Sequence, residues 1–146
     1  MSVLRASARL LTRQPRSAWL AGRMALWIAF LSTFGRLLPL RTTLRLVDTR
    51  RQWPSDARRT PQELAGIADR ILRAVGILDR ACWKRAMVLR RYLLMSGTDA
   101  QIVFGVRKAA RGGALDGHAW LEVGGRPFLE KTPPEFAVTF RYPGTG

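Results

Sequence analysis

The hydrophobic pattern of this 146-residue chain changes its period at Gly97, and this change constrains the fold more than any other feature. Before Gly97, apolar residues recur at helical spacing. After Gly97, they alternate with small or polar residues, as in half-buried strands. Helices followed by strands predict an α+β fold. The hydrophobic share of 47% argues against disorder, and the length fits one domain with an appendage.

Residues 1 to about 47 are predicted to be helical, and an uncharged run covers residues 24–35. Its twelve residues are too few for a membrane-spanning helix, which needs about 20. We therefore interpret the run as a buried core helix or as a surface for a partner protein. A helix lying on a membrane is the alternative, and its anchors would be Trp19, Trp27, Phe30 and Phe34.

A capping box begins the next predicted helix. Thr60 can cap it, Pro61 suits its first position, and Glu63 can reach back to the Thr60 amide. The apolar stripe then keeps helical spacing up to Gly76. We interpret this helix as scaffold and assign it no chemistry.

The charge balance is strongly basic. The formal net charge is +15, and the first 47 residues contain eight arginines and no acidic residue. This points to an anionic partner, such as nucleic acid, a membrane surface or an acidic protein. Nucleic acid fits poorly, because the charge is spread through the helices and forms no basic stripe with interleaved aromatics. Residues 1–47 are the expected contact with an anionic surface, and a peripheral membrane contact through them stays open.

The cysteine count and the first residues bear on location. One cysteine cannot form an internal disulfide, which fits a reducing compartment. The start of the chain lacks the clean apolar segment and cleavage site of a secretory signal. We expect a cytoplasmic protein, with membrane association as the open alternative.

That cysteine, Cys82, lies at the start of a third predicted helix. Asp79 can cap this helix and Gly97 ends it. Its apolar face comprises Cys82, Ala86, Leu89 and Leu93. A thiol in a first turn meets unpaired backbone amides and the positive end of the helix dipole, which favour a thiolate. Arg80, Lys84 and Arg85 add positive charge nearby. The ordinary alternative is an inert, buried cysteine.

The single histidine, His118, follows a glycine-rich loop and opens a predicted strand that runs to Val123. A turn at Gly124-Gly125 leads to a third strand, which ends at Glu130, twelve residues after the histidine. The tail is a covering loop with one edge strand over residues 136–142. A nucleophile on a helix, a base on a strand and an orienting acid on the next strand are the components of acyl transfer.

The hairpin provides a geometric test of this constellation. Side chains alternate along a strand, so His118 and Glu130 must share a face to touch. A two-residue turn would place Glu130 opposite Ala119, pointing away from His118. A three-residue loop from Gly124 to Arg126 would place it diagonal to His118. The catalytic interpretation therefore predicts a three-residue or bulged turn, and a tight two-residue turn would count against it.

Two other carboxylates could orient His118. Asp116 is close along the chain, and Glu122 shares a strand face with the histidine. We prefer Glu130, because an acid on a neighbouring strand can approach the imidazole edge-on.

The segment from Thr60 to Glu130 resembles the transglutaminase-like cysteine protease domain that matures lasso peptides. The resemblance rests on a Cys-x-x-Arg helix starting at Cys82, a strand ending in Gly105-Val106, a His-Ala-Trp strand starting at His118, and the acid twelve residues later. It implies a transglutaminase/papain-like core, in which a cysteine at a helix N-terminus packs on a small antiparallel sheet carrying histidine and acid. The corresponding regions are an arginine-rich helical region over 1–56 and the protease domain over 57–146.

The resemblance also implies an activity. Such enzymes remove the leader from a ribosomally made lasso precursor peptide, and a partner cyclase then closes the core with ATP. Cys82 would be the nucleophile, His118 the base and Glu130 the orienting acid, with no cofactor and no metal. Glu130 departs from the family, which usually has aspartate there.

The implied partners follow from the chain's length. This chain looks like the stand-alone protease half, so we expect it to act with the precursor's leader region, a separate leader-binding protein and the cyclase. Two other functions stay open. A transglutaminase-type acyltransferase would use the same triad with an amine in place of water, and a non-catalytic basic adaptor would act through residues 1–47.

Overall fold

A computed structural model describes residues 15–35, 37–48, 59–76, 82–109, 113–130 and 135–144. Among these residues, four helices precede four strands, so the predicted α+β fold is confirmed. In chain order they are α1 (Pro15–Phe34), α2 (Leu40–Val47), α3 (Pro61–Ala74), α4 (Cys82–Met95), β1 (Gln101–Lys108), β2 (Leu115–Val123), β3 (Arg126–Phe128) and β4 (Ala137–Tyr142).

The capping box of α3 forms as predicted. The Glu63 amide donates to the Thr60 hydroxyl at 3.2 Å, and the Thr60 amide donates to the Glu63 carboxylate at 2.9 Å. Pro61 occupies the first turn, where its missing N–H has no intrahelical partner to lose. Gly76, just beyond the helix, has a φ of 67°. Local chemistry therefore determines both ends of α3.

Helix α4 begins at Cys82 and ends before Gly97, which takes a φ of 85°. The Thr98 amide then donates back to the Leu93 carbonyl at 2.8 Å, which satisfies one of the last free carbonyls. The predicted cap, Asp79, lies outside the described residues. Ala86, Leu89 and Leu93 are buried, whereas Cys82 is half-buried.

Helix α1 is longer than the uncharged run that predicted it. Its twenty residues bury one stripe, which consists of Leu20, Met24, Ile28 and Leu31. The core interpretation is confirmed for this stripe. On the other face, Trp19 is 65% and Leu26 is 73% exposed. Within the described ranges, Ser17–Phe34 is one segment long and apolar enough to cross a membrane by length and composition alone. A membrane or partner contact of the exposed face stays a prediction.

The four strands form one antiparallel sheet in the order β3-β2-β1-β4. In β1, Ile102 faces the helices, whereas Gly105 pairs with His118 on the other face. The predicted alternation of buried and exposed residues in β1 is wrong, because Val103 and Gly105 are buried as well. The reason is that β1 is a central strand whose second face is covered by aromatic side chains from β2 and the segment before β4.

The helices and the helix-facing side of the sheet share one hydrophobic core, which extends from α1 to β2. A polar cluster also joins these parts: the Arg90 guanidinium donates to Asp48, to which the Tyr142 hydroxyl also donates at 2.6 Å. Arg90 donates further to the carbonyl of Ala100. The predicted boundary between residues 56 and 57 lies outside the described residues, and the division there stays a prediction.

Candidate active site

A cleft of roughly 540 Å³ is bounded by the start of α4, by β2 and by the segments around Glu130 and Phe136, and Cys82, His118 and Glu130 all line it. Cys82 is the first residue of α4, and His118 is the fourth residue of β2. The side chains of His118 and Glu130 are 28% and 22% exposed, so both are accessible from the cleft. The structure thus brings the three predicted site residues to one cavity.

The surroundings of Cys82 differ from the predicted cluster of free positive charge. Arg85 makes a two-pronged ion pair with Asp69, with distances of 2.6 and 3.1 Å. Lys84 donates to the Ser32 hydroxyl at 3.1 Å, and Arg80 lies outside the described residues. Because Asp69 neutralises Arg85, the amides at the start of α4 are the more direct source of positive potential for a thiolate.

The His118 imidazole lies among aromatic rings. It stacks on Trp120, with ring centres 5.9 Å apart and an interplanar angle of 18°. Its centre is 5.3 Å from that of Phe136. These contacts limit the rotation of the imidazole.

The turn between β2 and β3 contradicts the predicted three-residue loop. Val123 pairs with Arg126 and Leu121 with Phe128, so Gly124 and Gly125 form a two-residue turn. Both glycines have positive φ, 59° and 74°, as a type I′ turn requires. Apart from glycine, only Asn and Asp adopt positive φ at both central positions with any frequency. The Gly-Gly pair therefore favours the tight turn.

Glu130 nevertheless lies close to His118, because β3 ends before Glu130. β3 ends at Phe128, and Leu129 adopts a left-handed backbone with φ of 66°. Continued strand alternation would have placed Glu130 opposite Ala119, on the other face of the sheet. The left-handed residue breaks this alternation, and the Glu130 Oε1 atom lies 3.6 Å from His118 Nε2.

The two rival carboxylates have other partners. Glu122 accepts from Arg141 at 2.6 Å and from the Trp120 indole at 3.3 Å. Asp116 pairs with Arg107 at 3.0 Å. The preference for Glu130 therefore agrees with the geometry, although its role in catalysis stays a prediction.

The comparison with known protein families agrees with this arrangement. A model described as the transglutaminase-like superfamily matches residues 28–141. The chain belongs to the transglutaminase-like superfamily. No curated protein and no solved structure matches it. The match covers all of α2, α3, α4, β1, β2 and β3, all but the last residue of β4, and only the last seven residues of α1.

The cleft of this transglutaminase-like protein contains a thiol, Cys82, and an imidazole, His118. The superfamily includes cysteine proteases and acyltransferases. With Nε2 facing Glu130, the second imidazole nitrogen remains for exchanging a proton with a thiol. The 3.6 Å separation is an ion-pair distance, longer than a hydrogen bond. Catalytic contacts often tighten only when substrate binds.

Sequence reasoning missed two residues of the cleft. Asp69 comes from α3, which was interpreted as scaffold, and Phe136 comes from the tail, where it was predicted to begin an edge strand with no role in the site. Asp69 is sixteen residues from its partner Arg85, too far for a local motif. The signal for Phe136 was Gly105, a glycine inside a predicted strand, since such a glycine often marks a close approach by another group.

Proposed function

We propose that this protein is a cysteine peptidase that removes the leader from a lasso precursor peptide before ATP-dependent cyclisation by a partner. The observation that carries the enzyme class is one cleft that is lined both by Cys82, at a helix N-terminus, and by the His118–Glu130 pair. The resemblance of the segments around Cys82, Gly105 and His118 to lasso proteases supports the substrate class.

In this mechanism the Cys82 thiolate attacks the carbonyl carbon at the leader–core junction. His118 receives the thiol proton and later delivers it to the leaving amine. Glu130 orients the imidazole and stabilises its protonated form. The Cys82 amide, in the first turn of α4, donates to the developing oxyanion. Water then hydrolyses the acyl-enzyme, releasing the leader with a free carboxylate.

We assign three partners to this reaction: the leader region of the precursor, a separate leader-binding protein and the cyclase. Two exposed apolar side chains of α1, Trp19 and Leu26, are available as a contact surface for one of these proteins. The enzyme would then gain substrate affinity from the leader-binding protein and supply the chemistry itself.

The test is mass spectrometry of a precursor peptide incubated with this protein and the leader-binding protein. Wild type should make a single cut, and Cys82→Ala should make none while remaining folded. Cleavage by the folded Cys82→Ala protein would refute the mechanism. No cleavage by wild type, with the partner bound, would refute the leader-peptidase activity.

The superfamily match favours one further candidate, an acyltransferase that uses the same three residues. The products separate the two reactions, since hydrolysis leaves a carboxylate and transfer to an amine leaves an amide. A Cys82→Ala protein with full biological activity would instead support the non-catalytic basic adaptor.

A further inference from the structure

We propose that Phe136 is a positioning residue that holds the His118 imidazole, and that Gly105 is the position on β1 that makes room for it. The inference rests on the proposed function, because it concerns the base of that reaction. His118 and Phe136 line the same cleft as Cys82, and they contact each other on the face of the sheet that does not join the helical core.

The register defines that face. His118 pairs directly with Gly105, and paired residues project to the same side of a sheet. Their neighbours Ile102 and Leu121 form another direct pair, which belongs to the core shared with the helices. His118 and Gly105 are an odd number of residues away from that pair along their strands, so they project to the opposite face.

Three aromatic rings meet on this face. Phe136 lies 5.3 Å from His118 and 6.3 Å from Trp120, while His118 and Trp120 are 5.9 Å apart. Each distance falls within the range of favourable aromatic pairs. The imidazole therefore has an aromatic neighbour from its own strand and another from the segment that precedes β4.

Gly105 permits this arrangement. A Cβ atom at this position would lie 2.7 Å from the Phe136 Cβ and 3.1 Å from both the Ala137 carbonyl and the Trp120 ring. The nearest atom is attached directly to the Phe136 backbone, so no side-chain rotation relieves the contact. Any side chain at 105 would push Phe136 away from the histidine.

A cation holds Phe136 in place as well. The Arg107 guanidinium lies 4.5 Å from the centre of the Phe136 ring and is itself paired with Asp116. Phe136 is thus located by Gly105, Trp120 and Arg107 together. Its ring packs against the imidazole and so limits the orientations of His118.

The chain suits a direct test, because it contains one histidine and one cysteine. NMR signals of the His118 ring can be assigned without ambiguity, and iodoacetamide has one thiol to alkylate. The variants are Phe136→Ala, Phe136→Tyr and Gly105→Ala. The matched control is Phe140→Ala, which removes a β4 aromatic that contacts Phe104 on the other face.

We expect Phe136→Ala and Gly105→Ala to shift the His118 ring signals and to slow Cys82 alkylation at pH 7 by about tenfold, the scale of one aromatic contact. Phe136→Tyr should restore the rate to within about twofold. Phe140→Ala should leave both readouts unchanged. The double variant of Gly105 and Phe136 should be no slower than Phe136→Ala alone, because both changes remove one contact.

The inference fails if Phe136→Ala leaves the His118 signals unmoved, or moves them without slowing alkylation. If the fold-decreases in alkylation rate of the two single variants multiply in the double variant, the role given to Gly105 is wrong. Neither readout requires a precursor peptide. Failure of the peptidase proposal appears separately, as cleavage by Cys82→Ala or as no cleavage by wild type.

Discussion

Replacing Glu130 with glutamine should slow the reaction of Cys82 without unfolding the protein. The substitution keeps the shape of the side chain and removes its charge. Among the described residues, Glu130 is the carboxylate that forms an ion pair with the His118 imidazole, with its Oε1 atom 3.6 Å from Nε2. If it stabilises the imidazolium that accompanies a thiolate, loss of the charge will lower the thiolate population.

The size of the effect follows from that distance and from the exposure of the pair. Two unit charges 3.6 Å apart attract by about 1 kcal/mol in bulk water and by about 5 kcal/mol at an effective dielectric of 20. The two side chains are 28% and 22% exposed, so the true value lies between these limits. We take about 2 kcal/mol, which corresponds to a roughly 30-fold change in an equilibrium.

The assay is the second-order rate of Cys82 alkylation by iodoacetamide at pH 7, followed by cleavage of the precursor. We expect Glu130→Gln to lower the alkylation rate by a factor of about 10 to 30. Glu122→Gln serves as the control, because Glu122 is bound to Arg141. An alkylation rate within twofold of wild type for Glu130→Gln would refute the reasoning. A larger loss in Glu122→Gln would transfer the orienting role to that residue.

The remaining predictions concern the cluster that joins α2, α4 and β4. Asp48→Asn removes the charged partner of Arg90, whose side chain is only 4% exposed. Because Asp48 is itself 38% exposed, we expect a loss of about 2 kcal/mol in urea unfolding, less than a fully buried pair would cost, and an unchanged midpoint would contradict this. Burial, and then the hydrogen bond to Asp48, raise the pKa of Tyr142 above its ordinary value of 10.0. The unfolded chain therefore loses this proton first, so the stability advantage of wild type over Tyr142→Phe should be full below pH 10 and shrink as the pH rises further. An advantage that grows above pH 10 would contradict this sign.

The hairpin shows why part of the site could not be predicted. Both residues of the pair, His118 and Glu130, could be located from the sequence. Strand alternation predicted a three-residue or bulged turn between them, whereas the Gly124-Gly125 turn has two residues. A one-residue difference in a turn reverses every side chain of the following strand. The left-handed backbone of Leu129 turns the Glu130 side chain back toward His118. A leucine gives no sign of such a conformation in the sequence.

The charge around the Cys82 thiol is a second feature that the sequence predicted only in part. Arg85 is visible in the sequence one turn after Cys82, and its positive charge was expected to act on the thiol. Its partner Asp69 lies on another helix, and only the packing of α3 against α4 brings them within 2.6 Å. A count of nearby charges along the chain could not have found this neutralisation.

The sequence by itself determined the elements and their chemistry: the capped α3, the thiol at the start of α4, the change of period at Gly97 and the histidine on β2. These features depend on residues within a few positions of one another, so local propensities and hydrogen bonds are enough to specify them. The tertiary structure decided which acid faces His118 and why Gly105 lies opposite Phe136. Such contacts join distant segments, and they depend on side-chain directions that only the assembled sheet defines.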